Sequence, residues 1–219
     1  MKNVLVTGGA GYIGSHACKA LRTAGYIPVT FDNLETGWRA AVKFGPFVQG
    51  DLMDPASIAA VFTDYKPVAV MHFAALSQVG ESMNDPARYW RNNLVGSLNL
   101  IEAAVAAGCL NFVFSSTCAT YGDQDNVVLD ENSAQYPMNT YGASKRAMCT
   151  CVTGKLLHGV DACRNWQSTG VNSECRELIA GQTNYWNTKG FQVFKCARKV
   201  KERFGACANG DHRVCGKRS

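Results

Sequence analysis

The sequence predicts an α/β fold, a parallel sheet covered by helices on both faces. Three observations predict it. Short apolar runs alternate with helical patterns through the first two thirds of the 219 residues, as strands buried on both faces require. A glycine turn, Thr7-Gly8-Gly9-Ala10-Gly11-Tyr12-Ile13-Gly14, joins the first apolar run to the first helical pattern. An aspartate, Asp32, ends the second apolar run, 18 residues after Gly14. Strand, glycine turn, helix and distal acid together make the Rossmann-type doubly wound sheet the expected fold class.

The first strand, Val4–Thr7, leads into a helix over Tyr12–Ala24. Gly8 permits the tight turn, Gly11 lets the backbone approach a pyrophosphate, and Gly14 lets the helix pack closely on the sheet. The free N–H groups and dipole of that helix start suit phosphate. The second strand opens at Ile27, runs through Pro28–Phe31 and delivers Asp32, placed to hold an adenosine ribose. Its charge would repel a 2′-phosphate, so NAD is expected over NADP. Phe47–Gln49, Val68–Phe73 and Asn111–Ser115 read as the remaining strands. Pro55–Phe62 and Pro86–Ala107 read as helices, with Asp54 and Asp85 as N-caps and proline in the first turn. Tyr89, Leu94, Leu98, Ile101 and Val105 are spaced to line one face of the longer helix. A last helix starts near Thr140.

Ligands of such sheets sit at the carboxyl ends of the strands. The third strand ends in Gly50-Asp51-Leu52, an acid and an apolar residue suited to bonding and covering an adenine. The fourth ends in His72-Phe73-Ala74-Ala75, where small residues leave room. The fifth ends in Ser115-Ser116-Thr117-Cys118, which brings hydroxyls to the same edge. Tyr141 and Lys145 follow, four apart and therefore on one helix face. A cation beside a phenol lowers its pKa, and a nicotinamide cation would lower it further, making Tyr141 a base near neutral pH.

Composition divides the chain. Apolar residues make up 47%, enough for a sizeable core. No apolar run reaches the ~18 residues of a membrane helix, and no secretory leader precedes the first strand, so a cytoplasmic protein without membrane contact is expected. Residues 1–148 hold 10 Lys+Arg, 12 Asp+Glu and 3 Cys, whereas residues 149–219 hold 12, 5 and 7. A near-neutral segment thus gives way to a basic, Cys-rich C-terminal tail.

Several motifs are more specific than their spacing. They include Thr7–His16, Phe31-Asp32-Asn33-Leu34, Gly50-Asp51-Leu52, His72-Phe73-Ala74-Ala75, Val79-Gly80-Glu81-Ser82, Asn92–Gly96, Phe114–Gly122 and Tyr141–Lys145. On these, residues 1 to about 148 resemble the extended branch of the short-chain dehydrogenase/reductase superfamily and, within it, the UDP-glucose 4-epimerase family. The resemblance implies that Tyr12, Ile13, Asp32, Asn33, Asp51 and Leu52 bind the adenosine half of NAD. Phe73, Ala74, Ala75 and Asn93 would line its path towards the nicotinamide. Thr117 stands where the family has a Ser or Thr bridging the sugar hydroxyl and the tyrosine. Tyr141 would be the acid–base group, and Lys145 would bind the nicotinamide ribose and tune Tyr141. The implied reaction interconverts UDP-galactose and UDP-glucose by transient oxidation at C4 of the sugar. The implied partners are a UDP-sugar substrate and a second copy, in a homodimer formed by the helices of this half. Related nucleotide-sugar dehydratases place a further acid–base pair just after Thr117, where this chain has Cys118-Ala119. A module that holds NAD without turnover is the alternative from another class.

The resemblance ends near Met148, giving an NAD-binding domain at 1–148 and a non-family tail at 149–219, with the substrate domain absent. The tyrosine helix is expected to stop early, leaving Lys145 loosely placed and an apolar edge open beside the fifth strand. The tail cysteines include no C-x₂-C pair, and His158 and His212 complete no ligand set, so no metal is expected. Seven cysteines are an odd number for a disulfide module. Phe191–Phe204 reads as a basic helix and Tyr185 and Trp186 as companions, yet no nucleic-acid motif is present and no nucleic-acid partner is expected. The change in composition is what a frameshift, a truncation or a recombination joint near codon 148 would produce. Weak or absent epimerase activity is the corresponding expectation.

Overall fold

The computed structural model describes residues 1–124, 129 and 133–156, and a further strand at 194–197. In chain order the strands are β1 (Asn3–Thr7), β2 (Ile27–Asp32), β3 (Phe47–Gln49), β4 (Ala69–His72), β5 (Phe112–Ser115) and β6 (Phe194–Ala197). The helices are α1 (Tyr12–Thr23), α2 (Pro55–Tyr65), α3 (Val79–Asn84), α4 (Pro86–Tyr89), α5 (Gly96–Ala106) and α6 (Thr140–Leu156). A π-helical turn at Trp90–Val95 joins α4 to α5. The strand order is β3-β2-β1-β4-β5-β6, with β1 to β5 parallel and β6 antiparallel to β5. The order of the first five is that of a Rossmann-type sheet, whose direction of winding reverses between β1 and β4.

β1 shows why the sheet is covered twice. Its side chains alternate between faces. Leu5 joins a cluster with Ile58 and Phe62 of α2, Leu100 and Ile101 of α5, and Met148 and Val152 of α6. Val4 and Val6 join a second cluster with Ala17, Cys18 and Leu21 of α1. Val4, Leu5 and Val6 are fully buried, worth roughly 1.5–3 kcal/mol each on area grounds. The helix starts follow the expected chemistry: Asp54 accepts from Ala56 N at 3.0 Å and Asp85 from Arg88 N at 3.1 Å.

Four expectations are corrected. The helix from Pro86 does not run unbroken to Ala107, because the π-helical turn interrupts it. The added residue per turn changes the phase of the buried face. Asn93, Ser97, Leu100, Ile101 and Ala104 are buried, while Val105 is exposed and Leu94 and Leu98 are only half-buried. A second correction concerns α6, which does not stop near 150 but continues to Leu156. Cys149 and Val152 remain packed in the core, so apolar contacts carry the helix past the change in composition. Third, β6 pairs with β5 from Phe112↔Ala197 to Ser115↔Phe194, so the edge beside β5 carries a strand. Fourth, within the expected basic helix Phe191–Phe204, residues 194–197 are a strand; backbone pairing to β5 replaces intrahelical bonding. His158, Tyr185, Trp186, His212, Cys163, Cys175, Cys207 and Cys215 lie outside the described residues. No helix among the described residues is long and apolar enough to cross a membrane.

Candidate active site

The carboxyl ends of β1 to β4 open into one cleft lined by Gly8, Asp32, Asn33, Gly50, Asp51, Leu52, Ala74 and Ala75. Gly8 has φ +69°, and a Cβ there would lie 2.6 Å from Ala74 N. The turn after β1 therefore lies directly against the chain leaving β4, and only glycine fits. A Cβ on Gly14 would sit 2.1 Å from Gly8 O, so α1 rests on the turn itself. Gly11 is the N-cap of α1, has no side chain to bond the first-turn amides, and no acidic residue stands in that turn. Tyr12 and Ile13 open the helix there, Tyr12 exposed and Ile13 half-buried. A helix start with no side-chain cap, next to the glycine turn, suits a phosphate pair.

The two aspartates are held by backbone. Asp32 Oδ2 accepts from Ala10 N at 3.0 Å and Oδ1 from Leu34 N at 2.9 Å. It thereby joins the glycine turn to the loop after β2. Asp51 Oδ1 accepts from Met53 N at 2.8 Å and Oδ2 from Asn33 Nδ2 at 3.0 Å. Leu52 lies beside them, 7% exposed. These groups fit a dinucleotide: amides at the phosphates, carboxylates with spare lone pairs for ribose and adenine, and an apolar cover.

The other end of the edge is built differently. Thr117 follows β5 and caps a short 3₁₀ turn at Cys118–Thr120, its Oγ1 accepting from Ala119 N at 3.2 Å. The Thr117 side chain stands near enough to the Tyr141 phenol to influence its ionisation. Burial pushes that phenol above its ordinary pKa, the nearby Thr117 hydroxyl opposes this, and neighbouring Cys118 adds to it. Lys145 is 4% exposed, donates from Nζ to Ser115 O at 3.0 Å and lies 4.7 Å from the Phe114 ring centroid. Burial pushes it down to about 8, with a smaller opposing pull from Cys149. Lys145 thus bonds Ser115 O, and burial is the largest influence on Tyr141. Lys145 is firmly held, not loosely placed.

Of the expected residues, Gly8, Asp32, Asn33, Asp51, Leu52, Ala74 and Ala75 line the cleft. Phe73 is half-buried and packs against the second cluster. Asn93 is 2% exposed and its amide is taken up within the protein, with Oδ1 accepting from Leu76 N at 2.8 Å and Nδ2 donating to Leu76 O at 3.0 Å and Ser144 Oγ at 3.2 Å. Glu35, Thr36, Leu76 and Asn92 also line the cleft and were not expected there. Arg88 pairs with both Glu35 and Glu81 across its outer rim. Nothing in the residue pattern marked that rim, because Arg88 and Glu35 are 53 positions apart in the chain.

Residues 4–161 match the model of the NAD dependent epimerase/dehydratase family. A UDP-glucose 4-epimerase of Rhizobium leguminosarum bv. trifolii is 53% identical over 144 residues, which are 66% of this chain and 44% of that protein. A UDP-arabinose 4-epimerase 1 of Arabidopsis thaliana is 41% identical over 154 residues, 66% of this chain and 37% of that protein. Among solved structures, UDP-glucose 4-epimerase from Brucella ovis in complex with NAD superposes with a TM-score of 0.71 at 46% identity, covering 72% of this chain and 49% of that one. This chain spans less than half the length of the curated relatives it matches.

Proposed function

Because this chain belongs to the NAD dependent epimerase/dehydratase family, we propose that it binds NAD and carries the proton-transfer groups of a UDP-glucose 4-epimerase. The observation that carries the reading is that Thr117, just after β5, stands beside Tyr141 at the carboxyl ends of the same parallel strands that carry Asp32 and Asp51. The amides of Tyr12 and Ile13 would hold the phosphates, with Gly11 N donating to Gly8 O at 3.1 Å to close the turn and Gly8 and Gly14 leaving them room. Asp32 and Asn33 would hold the adenosine ribose, and Asp51 and Leu52 the adenine. Phe73, Ala74 and Ala75 would line the way to the nicotinamide, and Asn93 would act there through Leu76. Bound NAD supplies a hydride acceptor for the sugar C4. Tyr141 Oη would take the proton of the 4′-hydroxyl, and Thr117 would hold both hydroxyls in line. Lys145, turned from Ser115 O to the nicotinamide ribose, would stabilise the phenolate. The nucleotide part of a UDP-sugar would anchor the substrate while its sugar presents either face.

The reading keeps a domain boundary near 148 as a functional division, a cytoplasmic location and a homodimer. Trp90 and Val95, both partly exposed, are candidates for its contact. Calorimetric titration of the full chain with NAD and NADP, followed by assay of UDP-galactose conversion, tests the proposal. NAD should bind, and any conversion should vanish in Tyr141→Phe. Absence of NAD binding by the folded chain would overturn it. Binding without conversion selects the non-catalytic module.

A further inference from the structure

Behind the cleft a buried polar chain runs from β1 to α6, and its centre is a histidine. His72, the last residue of β4, is 1% exposed. Its Nδ1 is 2.6 Å from Thr7 Oγ1 and its Nε2 is 2.7 Å from Ser97 Oγ. Ser97 Oγ donates its one proton to Asn93 O at 2.6 Å. Towards the imidazole it can only accept, so Nε2 carries the proton, and Nδ1 accepts from Thr7. Lys145 is the charged group facing the ring from α6, and Phe112 and Phe114 flank it. Burial together with that ammonium holds the ring neutral, pushing its pKa down to about 3.

Each end of this chain touches the proposed machinery. Thr7 immediately precedes Gly8 of the phosphate turn. Asn93 sits in the π-helical turn, and its amide holds both backbone groups of Leu76 and reaches Ser144 Oγ. Ser144 Oγ in turn donates to Tyr141 O at 2.8 Å. No buried side-chain N or O among the described residues lacks a partner, so the chain is satisfied throughout. A satisfied network in a low dielectric admits one arrangement and resists slippage.

We propose that His72, as the Nε2–H tautomer, is a positioning residue that sets the α6 turn bearing Tyr141 and Lys145 against the coenzyme floor, acting through Ser97 and Asn93. It is buried and is not among the residues that line the cleft. The proposal rests on reading Tyr141 as the acid–base group, but its test uses no coenzyme, so its failure is distinguishable from failure of that reading.

Two substitutions divide the two arms. His72→Asn places an acceptor near Nδ1 for Thr7 and nothing at Nε2. His72→Gln places an amide donor near Nε2 for Ser97. Amide hydrogen exchange on the full-length chain reads the outcome. His72→Asn should speed exchange at Leu76 and across residues 141–145 by about tenfold relative to β1 and β2. His72→Gln should hold both within about twofold of the parent. Ser97→Ala, a smaller change that breaks the same arm, should reproduce the local pattern and serves if His72→Asn does not fold. Uniform acceleration across the sheet, no acceleration, or a Gln variant as fast as the Asn variant would each overturn the proposal.

Discussion

The two ends of the cleft hold their polar groups by opposite means. At the end formed by β1 to β3, Asp32 and Asp51 are gripped by backbone amides and one asparagine, and glycines set the shape around them. At the far end, Lys145 and Tyr141 owe their altered acidity first to burial. One end is a matter of backbone path. The other is a matter of taking ionisable groups out of water. The first should fail when atoms are added, the second when charge is removed or titrated.

The largest effect is expected from adding one methyl group at the first end. Gly14→Ala puts a carbon where Gly8 O already lies, at 2.1 Å. Loss of NAD binding and destabilisation by about 3 kcal/mol or more should appear in calorimetry and urea unfolding. If Ala is tolerated at full affinity, the backbone does not set that end.

Lys145→Met tests the second end. The folded pKa of Lys145, about 8, lies below its ordinary 10.5. Between those values the unfolded chain binds more protons than the folded one, so stability rises with pH across that window. Burial of the charged form therefore penalises the parent below pH 8. Lys145→Met should remove that slope, about 1.4 kcal/mol per pH unit at most, and should be no less stable than the parent at neutral pH while losing turnover. A variant that keeps the slope would show that burial is not the cause.

Asp32→Asn comes next. It keeps the shape and removes the charge, and an Asn oxygen accepts from one of the two amides only. NAD should bind about tenfold more weakly, the scale of a charge-assisted hydrogen bond, and the preference over NADP should narrow. Arg88→Met should do least. Arg88 sits at the solvent side of the rim, paired with Glu35 and Glu81, and exposed pairs contribute little. Its melting temperature should match the parent within error, and NAD affinity should change less than in Asp32→Asn.

This contrast also explains what could be read from the chain. Gly8, Gly14, Asp32 and Asp51 announce themselves because backbone requirements are local: a turn, a close approach, a cap. That Tyr141 and Lys145 stand one turn apart on one helix was equally legible. Their electrostatics were not, since Ser115 O and Phe114 reach Lys145 only through the sheet. Asn93 and Ser97 were missed as core residues because apolar periodicity points to Leu94 and Leu98. Polar atoms that are fully paired bury as readily as apolar ones, and no count of hydrophobic spacing detects them. The tail was read from composition, and composition does not say where a helix such as α6 ceases to pack.

The π-helical turn at Trp90–Val95 makes the segment in effect two rods joined out of phase by one residue. Deleting Arg91 would restore an unbroken ladder and swing everything beyond by about 100°. Leu94 and Leu98 would then rotate inward, as their spacing invites, and the amide of Asn93 would lose its grip on Leu76. A shorter, more regular rod would thus be bought with a misaligned site.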